Sequence, residues 1–193
     1  MKQATVLAVL IAIVCFSFSV PVKSYYPSEV KSSIDTSLMK ISNLQSMLQE
    51  IIDATGLHTS FELKEADVLN IEASVSHRKR YISYNPNYIN SLNKITKNKW
   101  AVMTLLAHEV GHHLNGHTMR KGGSTPELEL EADEFAGFIL HKLGATLRQS
   151  QDVMHYIAKA KASKTHPSKS SRLFAIEKGW NRSSALQDMT AGK

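Results

Sequence analysis

The stretch Ala107-His108-Glu109-Val110-Gly111-His112-His113 contains an H-E-x-x-H motif, and this motif decides how the chain is interpreted. In an α-helix, residues i and i+4 lie on one face, so His108 and His112 can bind one metal ion together. Glu109 can then contact a water molecule at that ion without binding the ion itself. Residues 99–107 contain no glycine or proline, and they predict the helix that this geometry needs. The alternative is two histidines on a solvated helix face.

The N-terminal residues 1–24 have the layout of a secretory signal peptide. Lys2 provides a positive charge, residues 4–20 are almost wholly apolar, and the polar end predicts cleavage after Ser24. The alternative is a retained anchor in an inner membrane, because residues 4–20 are close to the shortest span of a bilayer. The sequence therefore predicts an exported protein, in the periplasm or secreted, whose membrane association occurs only through an uncleaved leader.

The cysteine usage restricts the chemistry of a metal site. The single cysteine, Cys15, lies in the predicted leader, and no small residue precedes it, which disfavours a lipoprotein. The mature chain therefore has no disulfide framework, and any metal must be held by histidine and carboxylate side chains. In an exported protein this composition favours a bacterial periplasm or secretion over a disulfide-linked extracellular domain.

The charge of the chain does not indicate a nucleic-acid partner. The formal net charge is +6, and it falls to +4 when cleavage of the leader removes Lys2 and Lys23. The basic residues are scattered, except for Arg78-Lys79-Arg80, which strand-forming residues flank. We interpret this trio as the solvated edge of a strand or hairpin, because an exported protein seldom meets nucleic acid.

The hydrophobic pattern predicts a mainly helical α+β fold, with one domain over residues 25–180. Apolar residues at spacings of three and four predict an amphipathic helix over residues 33–55. Residues 61–65, 68–76 and 80–84 have strand character, with clear alternation in the middle stretch, and they predict a small, largely antiparallel sheet. Further helices are predicted from Pro86 to Leu92 and over residues 99–115, 126–143, 148–162 and 169–178, followed by a loose tail at 181–193.

A catalytic zinc site needs a third protein ligand and an open position for water. A metzincin would have glycine and histidine at the seventh and tenth places after His108, where this chain has Asn115 and Thr118. The sequence therefore excludes a metzincin. Acids crowd the helix that follows the motif, and they remain as candidates: Glu127, Glu129, Glu131, Asp133 and Glu134.

The H-E-x-x-H motif, Glu129-Leu130-Glu131-Ala132-Asp133 and His166-Pro167 with Arg172 together resemble the M48 metallopeptidases, relatives of the Ste24 and HtpX membrane proteases. The resemblance implies a zincin-like gluzincin domain whose small antiparallel sheet packs on the motif helix. It implies that Glu129 is the third zinc ligand, that Asp133 supports the site from behind the ligands, and that His166 donates a hydrogen bond to the developing oxyanion.

Each of these residues also has a simpler interpretation. Glu129 could be an acid that complements a helix N-terminus, and His166 a turn residue before Pro167. Arg172 either fixes the adjacent helix or lines the cleft. Glu131 falls on another helix face and is predicted to be exposed. Unlike the membrane members of the family, the chain has no apolar run of 18 residues after the leader, which predicts a soluble, minimal peptidase domain.

The predicted function is that of a zinc-dependent endopeptidase with one Zn²⁺ per chain and a polypeptide substrate. A metal-activated water would attack the peptide bond, with Glu109 as the general base, and an extended peptide could add as a strand to the edge at residues 68–84. One alternative is a non-catalytic zinc-binding envelope protein that binds or chaperones partners. Another is a latent protease whose residues 25–55 cover the cleft. No particular oligomeric state is predicted.

Overall fold

The computed structural model describes residues 41–192, and the predicted leader, the alternative anchor and residues 25–40 lie outside this range. The described residues form an α+β fold that is mainly helical. The helices are α1 (Ile41–Thr55), α2 (Pro86–Thr96), α3 (Lys99–Leu114), α4 (Pro126–Lys142), α5 (Leu147–Ile157) and α6 (Lys169–Ala191), with a 3-10 helix at His117–Met119. The strands are β1 (Glu62–Glu65), β2 (Ile71–Ser76) and β3 (Lys79–Tyr84).

Side-chain caps explain where several helices begin. The Asn98 side chain accepts a hydrogen bond from the Ala101 backbone N–H and so caps α3. Thr146 and Gln149 form a reciprocal capping box at α5, and Ser168 caps α6. These local signals fix the starts of the helices that surround the motif.

The sheet is mixed, so the prediction of a largely antiparallel sheet is wrong for one of its two pairings. β2 and β3 are antiparallel and joined at His77 and Arg78, both of which have positive φ, as a two-residue hairpin requires. β1, however, pairs in parallel with β3, so the strand order is β1-β3-β2. The hairpin is encoded locally, whereas the place of β1 beside β3 depends on contacts between distant residues.

Helix α3 lies in the core and brings the motif with it. Every residue from Ala101 to Gly111 is buried, and α3 contacts α1, α2, α4, α5 and the sheet. α1 belongs to the same core, since Leu48 and Ile51 are fully buried. Residues 41–55 of the predicted covering segment therefore pack within the folded domain.

Helices α4 and α6 touch through glycines. A Cβ atom on Gly137 would overlap with the carbonyl oxygen of Ile176, and one on Gly179 would overlap with that of Glu134. This contact brings the first turns of α6 against α4. The close approach of the two backbones requires residues without a side chain at both positions.

The predicted loose tail at 181–193 is wrong, because α6 continues through Ala191. Ser183 is buried, and its hydroxyl lies 2.9 Å from Nδ1 of His141, while Arg182 forms an ion pair with Glu134. Polar contacts with α4 hold this segment, so an apolar pattern could not reveal it. Conversely, α5 ends at Ile157, earlier than predicted. No helix within residues 41–192 is both long and apolar enough to span a membrane.

Candidate metal centre

The structure brings together the three predicted metal ligands, two from α3 and one from the first turn of α4. The Nε2 atoms of His108 and His112 are 3.1 Å apart. The carboxylate of Glu129 faces both of them, with Oε2 at 3.3 Å from His108 Nε2 and Oε1 at 3.4 Å from His112 Nε2. His108 and Glu129 are buried, and His112 is half-buried. Among residues 41–192, this group could hold a metal ion.

The spacing of these donors fits a small tetrahedral cation. Bonds of about 2.0–2.2 Å in tetrahedral geometry separate the ligand atoms by roughly 3.3–3.6 Å. The three observed separations are 3.1, 3.3 and 3.4 Å. Two neutral imidazole lone pairs and a carboxylate would repel one another at this distance. The cluster therefore needs either a metal ion or a proton at its centre.

A buried ion pair fixes the ring of His108. Its Nδ1 lies 2.9 Å from Oδ1 of Asp133, and Arg172 donates to both carboxylate oxygens of Asp133 at 2.7 Å. Nη2 of Arg172 also lies 3.4 Å from His108 Nδ1, but both nitrogens are donors once the ring donates to Asp133. The Arg172 guanidinium holds the pKa of Asp133 low despite burial. Arg172 thus connects α6 to α4 behind the site.

The charges within the cluster are strongly coupled. Burial alone would lower the pKa of His108, but Asp133 and Glu129 together raise it to about 10. Burial likewise opposes ionisation of Glu129, yet hydrogen bonds from His108 and His112 bring its pKa far below the ordinary range. Both shifts favour a positively charged His108 beside a negatively charged Glu129 when no metal is bound.

Glu109 lies beside the cluster and is not one of its ligands. Burial raises its pKa to about 7, although the positive charge of His108 opposes the shift and a hydrogen bond from the backbone of Ala73 lowers the pKa as well. A carboxyl group that titrates near neutrality can both accept and release a proton at physiological pH. The contact with Ala73 also places strand β2 next to this carboxyl.

The sequence analysis did not predict three contacts that support the candidate ligands. His112 Nδ1 lies 3.0 Å from Nδ1 of His117, and His117 Nε2 lies 2.9 Å from Oε2 of Glu131. Glu131 is exposed, as predicted, but it is not without a partner. The hydroxyl of Ser124 donates a hydrogen bond to Glu129. No spacing rule reveals these pairs, because Gly116 turns the chain back with φ of 72° and so sets the place of His117.

The structure does not place His166 at this cluster through any hydrogen bond between described residues. The residue is exposed in the loop between α5 and α6, where its Nδ1 lies 2.8 Å from Thr165 Oγ1 and its backbone bonds to Ser163. Its proposed contact with an oxyanion stays a prediction. His113, next to the motif, points elsewhere: its Nε2 lies 2.9 Å from the carbonyl oxygen of Tyr81 and connects α3 to the sheet.

Comparison of the chain with protein-family models, with curated proteins and with solved structures found no match. The resemblance to the M48 peptidases therefore rests on the three sequence motifs, and membership of that family stays a prediction.

Proposed function

We propose that the protein is an exported, zinc-dependent endopeptidase with a zincin-like, gluzincin-type catalytic domain. The observation that supports this most is the convergence of His108, His112 and Glu129, with the buried carboxyl of Glu109 next to them. Within the described residues, the cluster offers three ligands, which leaves a fourth position for water or substrate. A purely structural zinc site usually has four protein ligands and needs no general base.

The chemistry follows from the positions of the side chains. Zinc held by the three ligands would polarise a peptide carbonyl and lower the pKa of an attacking water. Glu109 accepts a proton from that water as its oxygen bonds to the carbonyl carbon. Glu109 then gives the proton to the amide nitrogen as the C–N bond breaks, and it is ionised again at the end. Burial opposes the charged form of this carboxyl, so Glu109 can hold the proton between the two transfers.

The substrate is proposed to be an extended polypeptide that adds as a strand to the outer edge of β2. In the order β1-β3-β2, no described strand pairs with this edge, and the Ala73 contact brings the edge beside Glu109. Hydrogen bonds between backbones would position a peptide with little dependence on its side chains.

Backbone N-methylation of a substrate peptide tests this binding mode. Alternate residues of a paired strand direct their N–H groups toward the neighbouring strand. We therefore expect a raised KM for N-methylation at every second position around the cleaved bond, and little effect at the positions between them. An equal effect at all positions would contradict strand addition.

The function itself is tested with Glu109→Gln beside His112→Ala. We expect the purified wild type to contain zinc and to cleave casein or a peptide library. Glu109→Gln should keep the metal and lose cleavage by about 10²–10⁴-fold, because the general base is gone. His112→Ala should lose the metal as well. Metal analysis and cleavage assays on the same preparations give both results.

A zinc-binding envelope protein that acts without hydrolysis would give a different result. Its Glu109→Gln variant would keep the biological effect of the wild type, and neither protein would cleave peptides. Removal of residues 25–40 tests latency, since this part of the proposed covering segment lies outside the described residues. A rise in activity on its removal would favour the latent enzyme.

A further inference from the structure

His117 and Glu131 lie outside the three-ligand cluster, yet they form a continuous chain of hydrogen bonds to it. Nδ1 of His117 is 3.0 Å from Nδ1 of His112, and Nε2 of His117 is 2.9 Å from Oε2 of Glu131. The side chain of His117 is only 2% exposed, and that of Glu131 is 55% exposed. The chain thus runs from a metal ligand, through a buried ring, to a solvated carboxylate.

The direction of each hydrogen bond follows from chemistry. In the metal-bound protein, Nε2 of His112, which faces His108 and Glu129, must present a lone pair to the metal, so Nδ1 of His112 holds the proton. That proton is donated to Nδ1 of His117, which must be an acceptor. His117 then has its own proton on Nε2, and this proton is donated to Glu131. A carboxylate accepts only, so Glu131 selects this tautomer of His117.

The arrangement parallels the support of His108, but with one more residue. His108 donates directly to Asp133 of α4. His112 lies one turn further along α3, and His117 bridges the gap to Glu131 of the same helix α4. Each histidine ligand thus has its own carboxylate on α4. Such partners of ligating histidines fix the ring orientation and the tautomer.

We propose that His117 and Glu131 are positioning residues that hold His112 in the orientation and tautomer needed for metal binding. This inference rests on the proposed metal-dependent function. It adds to that function a requirement for a series of hydrogen bonds that runs from His112 to the surface carboxylate of Glu131.

Two substitutions of similar size at one position separate a polar role from a packing role. His117→Leu removes the acceptor, whereas His117→Asn keeps an oxygen close to the place of Nδ1. We expect His117→Leu to weaken zinc binding by about 10–100-fold, the usual effect of losing such a partner. His117→Asn should stay within a few-fold of the wild type. Competition with a chromophoric chelator measures the affinity on the full chain.

The carboxylate is tested with Glu131→Gln, matched by Glu127→Gln, which changes the same charge at an exposed position of the same helix. We expect Glu131→Gln to weaken zinc binding several-fold and Glu127→Gln to leave it unchanged. A second measurement is the ¹⁵N–¹H spectrum of the imidazoles in the zinc-loaded protein. The Nδ1–H signal of His112 should be protected from exchange in the wild type and lost in His117→Leu.

The outcomes distinguish this inference from the proposed function. Wild-type zinc affinity together with a protected His112 signal in His117→Leu overturns the positioning role alone. The positioning role is also overturned if His117→Leu and His117→Asn weaken zinc binding equally and neither variant gives the spectrum of a folded protein. Packing then explains the effect. A wild type that does not bind zinc overturns both proposals. A wild type that binds zinc without cleaving peptides overturns only the peptidase, since affinity still reports on His117.

Discussion

Glu109 is a buried carboxyl that the metal-free fold must accommodate at a cost. It is surrounded by other acids, since the charges of Glu129 and Glu72 both add to the effect of burial on its pKa. A group of this kind is often a functional residue, because folding alone would favour a neutral side chain at the same place. Burial of this carboxyl should therefore lower the stability of the protein.

We predict that Glu109→Gln stabilises the metal-free protein above neutral pH. The folded-state pKa of about 7 lies above the ordinary 4.5, so the unfolded chain releases its proton first and wild-type stability falls between these pH values. Glutamine does not titrate. The difference should grow from pH 4.5 to 7 and then stay level, at up to about 3 kcal/mol. Urea unfolding in the presence of a chelator measures it. A difference that is independent of pH would contradict the argument.

The ion pair between Arg172 and Asp133 is the second residue-scale test. We predict that Arg172→Met lowers the free energy of unfolding by about 3 kcal/mol, because it leaves the fully buried Asp133 without its main partner. Adding Asp133→Asn to this variant should recover part of the loss, since the unpaired charge is then gone. Denaturant unfolding of both variants measures these changes in the free energy of unfolding. A double variant that is less stable than Arg172→Met would show that the charge is not the cause.

Helix α4 is the element that organises the site. Glu129 belongs to the cluster, Asp133 holds His108, and Glu131 reaches His112 through His117. The position of α4 therefore matters more than that of any single side chain. The glycine contact with α6 sets that position, because it lets Arg172 approach Asp133.

We predict that Gly137→Ala and Gly179→Ala each destabilise the protein by about 2 kcal/mol or more and weaken zinc binding. Alanine normally favours a helix over glycine by up to about 1 kcal/mol, so a loss would show that the clash with the opposite backbone dominates. Gln187→Ala, at an exposed position of α6, serves as the control and should change little. Thermal unfolding and chelator competition measure the two effects. An increase in stability for either glycine variant would refute the close contact.

At the scale of the whole molecule, the candidate metal site connects separate parts of the chain. His108 and His112 come from α3, Glu129 comes from α4, and the Asp133–Arg172 pair extends the connection to α6. A bound metal would therefore oppose unfolding of the core as a whole.

We predict that chelation lowers the melting temperature of the wild type. At a free zinc concentration of about 1,000 times Kd, the metal adds about 4 kcal/mol to stability, and its removal lowers Tm by about 10 °C. His112→Ala should show no chelator effect. Differential scanning fluorimetry with and without the chelator measures both proteins. An equal decrease in His112→Ala would mean that the metal acts elsewhere.

The sequence by itself determined the elements that local signals encode. The spacing of His108 and His112 predicted a shared helix face, and Asn98 and Ser168 cap helices that the structure places within a residue or two of the predicted starts. The motifs also singled out Glu129 and Asp133, because one family pattern links them to the histidines. Glu129 and Asp133 are also four residues apart, so they share one helix face, and both have carboxylates that suit a metal site.

Only the tertiary structure decided the contacts between elements. The parallel pairing of β1, the hydrogen bonds from His112 through His117 to Glu131, and the Arg172–Asp133 pair all join residues from different elements. The extension of α6 through residues 181–191 also involves another element, since Arg182 pairs with Glu134 of α4. Periodicity reports which face of an element is apolar, but it does not report which polar side chains meet across two faces. Those meetings depend on how closely the helices approach, and here Gly137 and Gly179 set that distance.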